Sequence, residues 1–151
     1  MNPLKVLFVC VHNSARSQMA EAFLNHLGNG QFIAESAGLE PGTLNPIVVD
    51  AMKLDGIDIS ANKTKSINSI ISSGKSYDYL ITVCDETNAE KCPVVPGSGK
   101  RLHWSFDDPS ALTGSYTEKL NQTLIIMQQI KSGIENWINE LQKINKLPEF
   151  T

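Results

Sequence analysis

A β-branched run, Lys5 to Cys10 (KVLFVC), ends on a cysteine and gives way within a few residues to a helical pattern. Such a switch from strand to helix marks the start of a β-loop-α unit. From Ser17 to Leu27 the apolar residues Met19, Ala20, Phe23, Leu24 and Leu27 recur at helical spacing, and Gly28 offers a left-handed stop. The alternation then repeats. Phe32 to Ala37 reads as a second strand. Asn45-Pro46 reads as an N-cap and first-turn proline, opening a helix that ends at Gly56. Ser66 to Ser73 is a short helix, and Tyr77 to Val83 a third strand ending directly at Cys84. Arg101 to Phe106 reads as a fourth strand, followed by the loop Asp107-Asp108-Pro109. Ser115 and Glu118 have the spacing of a capping box. They open a last helix whose packing face runs Leu120, Leu124, Met127, Ile130, Ile134, Trp137, Ile138, Leu141 and Ile144. Strands alternating with helices imply a parallel sheet with right-handed crossovers. The expected fold class is therefore α/β: one three-layer α/β/α domain over residues 1–151 with a four-stranded parallel sheet.

Composition narrows the function. Net charge is -3, and the 13 Lys and Arg residues form no basic stripe, so nucleic-acid binding is not expected. The apolar run Leu4 to Val11 is interrupted by Lys5 and is too short to cross a bilayer or act as a secretory signal. A cytoplasmic monomer with no membrane partner is expected. Three cysteines in such a chain point to reactivity or metal binding more than to a disulfide framework. No Cys-x2-Cys pair is present, so no metal is expected, and no cofactor either.

The loop Cys10-Val11-His12-Asn13-Ser14-Ala15-Arg16-Ser17 lies between a strand and a helix. A loop entering a helix N-terminus presents unpaired backbone N–H groups, and the helix dipole favours negative charge there. A curled loop of this kind is an anion nest. Arg16 adds a planar fork able to hold two oxygens of a tetrahedral oxyanion. The same surroundings favour a thiolate at Cys10, a nucleophile that Ser14 or Ser17 can support with a hydroxyl hydrogen bond. Asn13 suits a left-handed position in this loop, and His12 also tolerates positive φ. Read alone, Asp107-Asp108-Pro109 would be a turn, while for Cys84 and Cys92 a pair of inert thiols is the plainer alternative to a reactive pair.

The run Cys10-Val11-His12-Asn13-Ser14-Ala15-Arg16-Ser17-Gln18-Met19-Ala20-Glu21-Ala22 resembles the signature of the low-molecular-weight tyrosine phosphatase superfamily. More closely it resembles the thioredoxin-coupled arsenate reductases built on that fold. The likeness continues through Glu35 to Gly38, Asn45-Pro46, Ile57 to Ser60, Cys84 to Cys92-Pro93 and His103 to Pro109, in order along nearly the whole chain. The resemblance implies Cys10 as nucleophile, residues 11–17 as the oxyanion cradle and Asp108 as the acid that protonates the departing oxygen. It also implies a relay in which Cys84 and then Cys92 take over the oxidation of Cys10, with thioredoxin as the external reductant. Asp107 is left a turn or supporting residue, and His103 and Trp104 packing or positioning residues. The loop Asp85 to Lys91 would form a helical turn that unwinds to join the two sulfurs. Ala15 replaces a cysteine common in such relatives, and Cys84 and Cys92 stand one residue further apart than in them. Some relatives hold potassium with residues resembling Asn13, Glu21, Ser36 and an acidic residue. Lys65 stands at that last position here, so potassium should have no effect.

Two other functions remain open at this level. A phosphotyrosine phosphatase would use the same loop and acid, although Ser110, Ala111 and Leu112 after Pro109 supply no aromatic wall for an aryl group. A non-enzymatic oxyanion or redox sensor would oxidise once and stop, but it would need no general acid.

Overall fold

The computed structural model describes residues 2–84, 97, 99–144 and 147. The element order is β1 (Leu4–Cys10), α1 (Arg16–Leu27), β2 (Phe32–Gly38), α2 (Pro46–Leu54), α3 (Ile67–Ser72), β3 (Tyr79–Thr82), β4 (Lys100–His103), a single-turn 3-10 helix (Pro109–Ala111) and α4 (Tyr116–Lys143). The four strands form one sheet in the order β2-β1-β3-β4, and every pairing is parallel, as the alternation of strands and helices required.

Period-two alternation along β1 decides which face each residue serves. Val6, Phe8 and Cys10 join the larger apolar cluster, with residues of α1, α2 and α4. Leu7 and Val9 join the smaller one, with Ile67 and Ile70 of α3. The sheet is thus sandwiched between two helical layers, and Cys10 leaves it on the α1 side. Trp137 of α4 meets Phe32, Tyr79 and Trp104 with ring centroids 5.7, 5.0 and 5.6 Å away, and Trp104 packs on Phe8 at 5.9 Å. Trp104 is accordingly a packing residue that fastens the chain after β4 to the core.

Local signals placed most boundaries. Asn45 caps α2 by accepting from Ile47 N and Val48 N, with Pro46 in the first turn. Ser115 and Glu118 make both halves of a capping box at α4, worth about 1 kcal/mol. Several expectations need correction. Gly28 is right-handed (φ -77°), and the left-handed turn falls on Asn29 and Gly30. Glycine is still required at 28, because a Cβ would stand 2.5 Å from Leu24 O and 2.7 Å from the Phe32 ring. The fourth strand runs Lys100–His103 rather than on to Phe106, and the third is trimmed to Tyr79–Thr82. The buried face of α4 includes Thr123 and Ile126, whereas Leu120 and Leu124 are half-buried and Ile144 is exposed past the helix end.

Candidate active site

Cys10 is the last residue of β1, and α1 begins six residues later at Arg16. The loop between them packs against Gly38 and the segment that follows it. Leu39 N, Glu40 N and Gly42 N donate to the carbonyls of Cys10, Val11 and His12 at 3.3, 2.8 and 3.0 Å. No side chain caps α1, since Ala15 holds the N-cap position. A helix N-terminus without a side-chain cap is a common resting place for an anion.

Two polar groups converge on the Cys10 sulfur. Asn13 N donates to Cys10 Sγ at 3.2 Å, and Ser17 Oγ lies 2.9 Å from the same sulfur. Asn13 Nδ2 donates to Ser17 Oγ at 2.8 Å, which leaves the serine proton able to serve the sulfur. Cys10 itself is only 3% exposed, so attack on it requires a small reagent led into the loop. Of the two serines considered, Ser17 makes the contact.

Asn13 takes the left-handed conformation (φ 54°), as its type suggested. His12 does not need positive φ. Its Nδ1 pairs with Glu40 O at 2.9 Å and fixes the loop rim. Asn13 is held by Gln18, a fully buried amide that periodicity reads as one more helix residue. Gln18 Nε2 lies 3.1 Å from each of Asn13 O, Asn13 Oδ1 and Lys63 O, and its Oε1 accepts from Asn62 at 3.2 Å. Gln18 stands opposite the apolar face that Met19, Ala20, Phe23, Leu24 and Leu27 form, so helical periodicity carries no signal of its burial.

Arg16, 2% exposed, reaches the segment after β4. Its Nη1 donates to Phe106 O at 3.1 Å, and its Nη2 stands 3.6 Å from Asp108 Oδ2. Asp108 caps the 3-10 helix, with Oδ1 accepting from Ser110 N at 2.9 Å. The carboxyl is thereby tied through one oxygen to the turn and set beside Arg16 through the other. Asp107 is exposed.

Cys84 is a fully buried thiol in the same apolar cluster as Cys10. Register sets the two cysteines at the same end of the sheet. Val9 pairs with Thr82, and Val83 N donates to Val9 O at 2.9 Å, so Cys84 follows β3 at the sheet edge where Cys10 ends β1. Cys92 and the loop 85–91 lie outside the described residues. Among the described residues no three His, Cys, Asp or Glu side chains are grouped to hold a metal ion.

Behind the loop, Lys65 Nζ stands 3.8 Å from Glu21 Oε1 and donates to Lys63 O at 3.2 Å. Asn13 Oδ1 is taken by Lys65 N at 2.9 Å, and Ser36 Oγ donates to Glu21. With an ammonium already paired to the carboxylate, these residues do not fit a potassium ion. Burial raises the Glu21 pKa, against the pull of Lys65 and Ser36. Its charge therefore costs stability as pH rises from the unfolded carboxyl value through the native one, and Lys65 offsets part of that cost.

Comparison with known proteins extends this geometry. The family model described as "Low molecular weight phosphotyrosine protein phosphatase" matches residues 5–147. The chain is 38% identical over 141 residues to an arsenate reductase of Bacillus subtilis (strain 168), covering 93% of this chain and 96% of that protein. A solved structure of an arsenate reductase in the phosphate-binding state superposes with a TM-score of 0.71 at 30% identity, covering 91% of this chain and 98% of the other. The thioredoxin-dependent arsenate reductase Cg_ArsC1' of Corynebacterium glutamicum superposes with a TM-score of 0.57 at 27% identity, over 89% of this chain and 63% of that one.

Proposed function

The chain belongs to the low molecular weight phosphotyrosine protein phosphatase family, and within that family we propose that it reduces arsenate to arsenite. The observation that carries this reading is the near full-length match to proteins named arsenate reductase, joined to a second thiol, Cys84, at the sheet edge where the nucleophile sits. A phosphatase needs one cysteine and a water. Reduction by two electrons needs further thiols.

The cradle formed by Val11, His12, Asn13, Ser14, Ala15, Arg16 and Ser17 holds the oxyanion, with the Arg16 fork on two of its oxygens. The Cys10 thiolate attacks arsenic, and an As–O bond breaks as Asp108 protonates the departing oxygen, which leaves as water. Arsenic is still pentavalent at that point. The Cys84 thiolate then attacks Cys10 Sγ, and the electron pair of the S–As bond passes to arsenic, which departs as arsenite. A Cys10–Cys84 disulfide remains, holding the two oxidising equivalents. Cys92 attacks Cys84, releasing Cys10 as thiolate and leaving a Cys84–Cys92 disulfide. Thioredoxin, an external dithiol, reduces that bond. The reductant is supported by the thioredoxin-dependent structural neighbour.

Residues 1–151 would act as one domain, as a monomer in the cytoplasm. Among the described residues no helix is long and apolar enough to cross a membrane. No cofactor or metal enters any step.

A coupled assay with thioredoxin, thioredoxin reductase and NADPH tests the reading. Adding arsenate should bring sustained NADPH oxidation, whereas an aryl phosphate should release little or no phosphate. Phosphate release with no arsenate-dependent NADPH loss would make the protein a phosphatase instead.

A further inference from the structure

Asn45 touches three separate parts of the site. Its backbone N–H donates to Ser14 O in the oxyanion loop at 2.9 Å. Its Oδ1 accepts from Ile47 N at 2.9 Å and Val48 N at 3.3 Å, which caps α2. Its Nδ2 donates to Ser110 Oγ at 3.0 Å. Ser110 N in turn donates to Asp108 Oδ1 at 2.9 Å, while Asp108 Oδ2 faces Arg16.

Capping accounts for Oδ1 alone, and serine, threonine or aspartate would serve it as well. Only asparagine among these leaves an amide donor over after capping. Here that donor joins two residues that line one cleft of about 310 Å³, whose walls include residues 43–47 and Pro109, Ser110 and Leu112. Asn45 therefore ties the wall beside the acid to the oxyanion loop, through its side chain on one side and its backbone N–H on the other.

We propose that Asn45 is a positioning residue for the reaction: through Ser110 it fixes the 3-10 turn that aims the Asp108 carboxyl at the oxygen leaving the Cys10 loop. The inference rests on the assignment of Asp108 as the acid. A carboxyl a few tenths of an ångström out of line transfers its proton less well, while the oxyanion is still bound by the loop and Arg16. The loss belongs in kcat and not in KM.

Ser110→Ala removes the acceptor and leaves both the Asn45 cap and the Ser110 N–H in place. Asn45→Ser keeps a cap acceptor and removes the amide. Each variant should lower kcat for arsenate about tenfold with KM and thermal midpoint unchanged, and the double variant should lose no more than either alone. Placed in an Asp108→Asn background, Ser110→Ala should have no further effect, because nothing is left to aim. A structural role would lower the Asp108→Asn rate by the same factor, and that result would overturn the proposal, as would a Ser110→Ala enzyme with unchanged kcat. If the unmodified protein hydrolyses phenyl phosphate and does not reduce arsenate, the reductase reading fails by itself. The same comparison then runs on the hydrolysis, which needs the same acid. An unmodified protein inert toward both substrates would overturn both.

Discussion

Replacing Cys10 by serine is expected to cut arsenate-dependent turnover by at least about ten-thousandfold while leaving the fold and the anion cradle intact. The geometry separates the two effects. Serine is close to cysteine in size, and the position is buried at the end of a strand whose neighbours are fixed by the sheet. The donors from Asn13 and Ser17 would meet an oxygen instead of a sulfur, and Arg16 would still face the loop. A neutral hydroxyl, however, cannot attack arsenic or later accept attack by a second thiol, because both steps need a sulfur. The check is steady-state turnover together with calorimetric titration of inorganic phosphate, which should still bind. A Cys10→Ser protein that kept even a tenth of the activity would mean that another thiol meets the substrate.

A second large effect is expected at a residue with no reactive group. Gly38 ends β2 opposite Cys10, and a Cβ there would lie 2.7 Å from Asn13 N, 2.8 Å from His12 C and 2.8 Å from Val11 O. All three atoms are backbone of the oxyanion loop, so no side chain can swing aside. Gly38→Ala should push the loop outward, and the N–H groups that must point at the oxyanion should lose their aim. A fall in kcat/KM of about a hundredfold is expected, with a stability loss of about 1–3 kcal/mol. Gly42→Ala is the control beside it. Its Cβ would meet only the His12 side chain, at 3.6 Å, so activity should stay near that of the unmodified protein. Equal activities for the two variants would mean that the loop tolerates displacement.

The two residues differ in how openly the sequence announced them. Cys10 is legible because its neighbours in sequence are its neighbours in space. Strand, loop, arginine and helix start all lie within a dozen residues, where periodicity and capping rules operate. The same holds for Asn45-Pro46 at α2 and Ser115 with Glu118 at α4, whose bonds are local. Gly38 entered the sequence reading only within the Glu35 to Gly38 stretch of the family resemblance, and a glycine beside a strand does not say which backbone approaches it. Gln18 and Ser110 carry contacts that span 44 and 65 positions, and no local pattern reports those. The meeting of Arg16 with Asp108 became legible through family resemblance and not through spacing. Gly28 shows the opposite case. Its residue type was read for a left-handed stop, yet the constraint comes from the close approach of Leu24 O at the helix end and of the Phe32 ring packed against it.

The relay is the claim that separates a reductase from a phosphatase built on the same loop. Cys92→Ser protein, fully reduced and freed of thiols, should be given arsenate without thioredoxin, and its cysteines then mapped by alkylation and peptide mass spectrometry. A single arsenite released per chain, with Cys10 and Cys84 recovered as one disulfide-linked peptide pair, is the expected result. Arsenite released while Cys10 and Cys84 both remain open to alkylation would contradict the account.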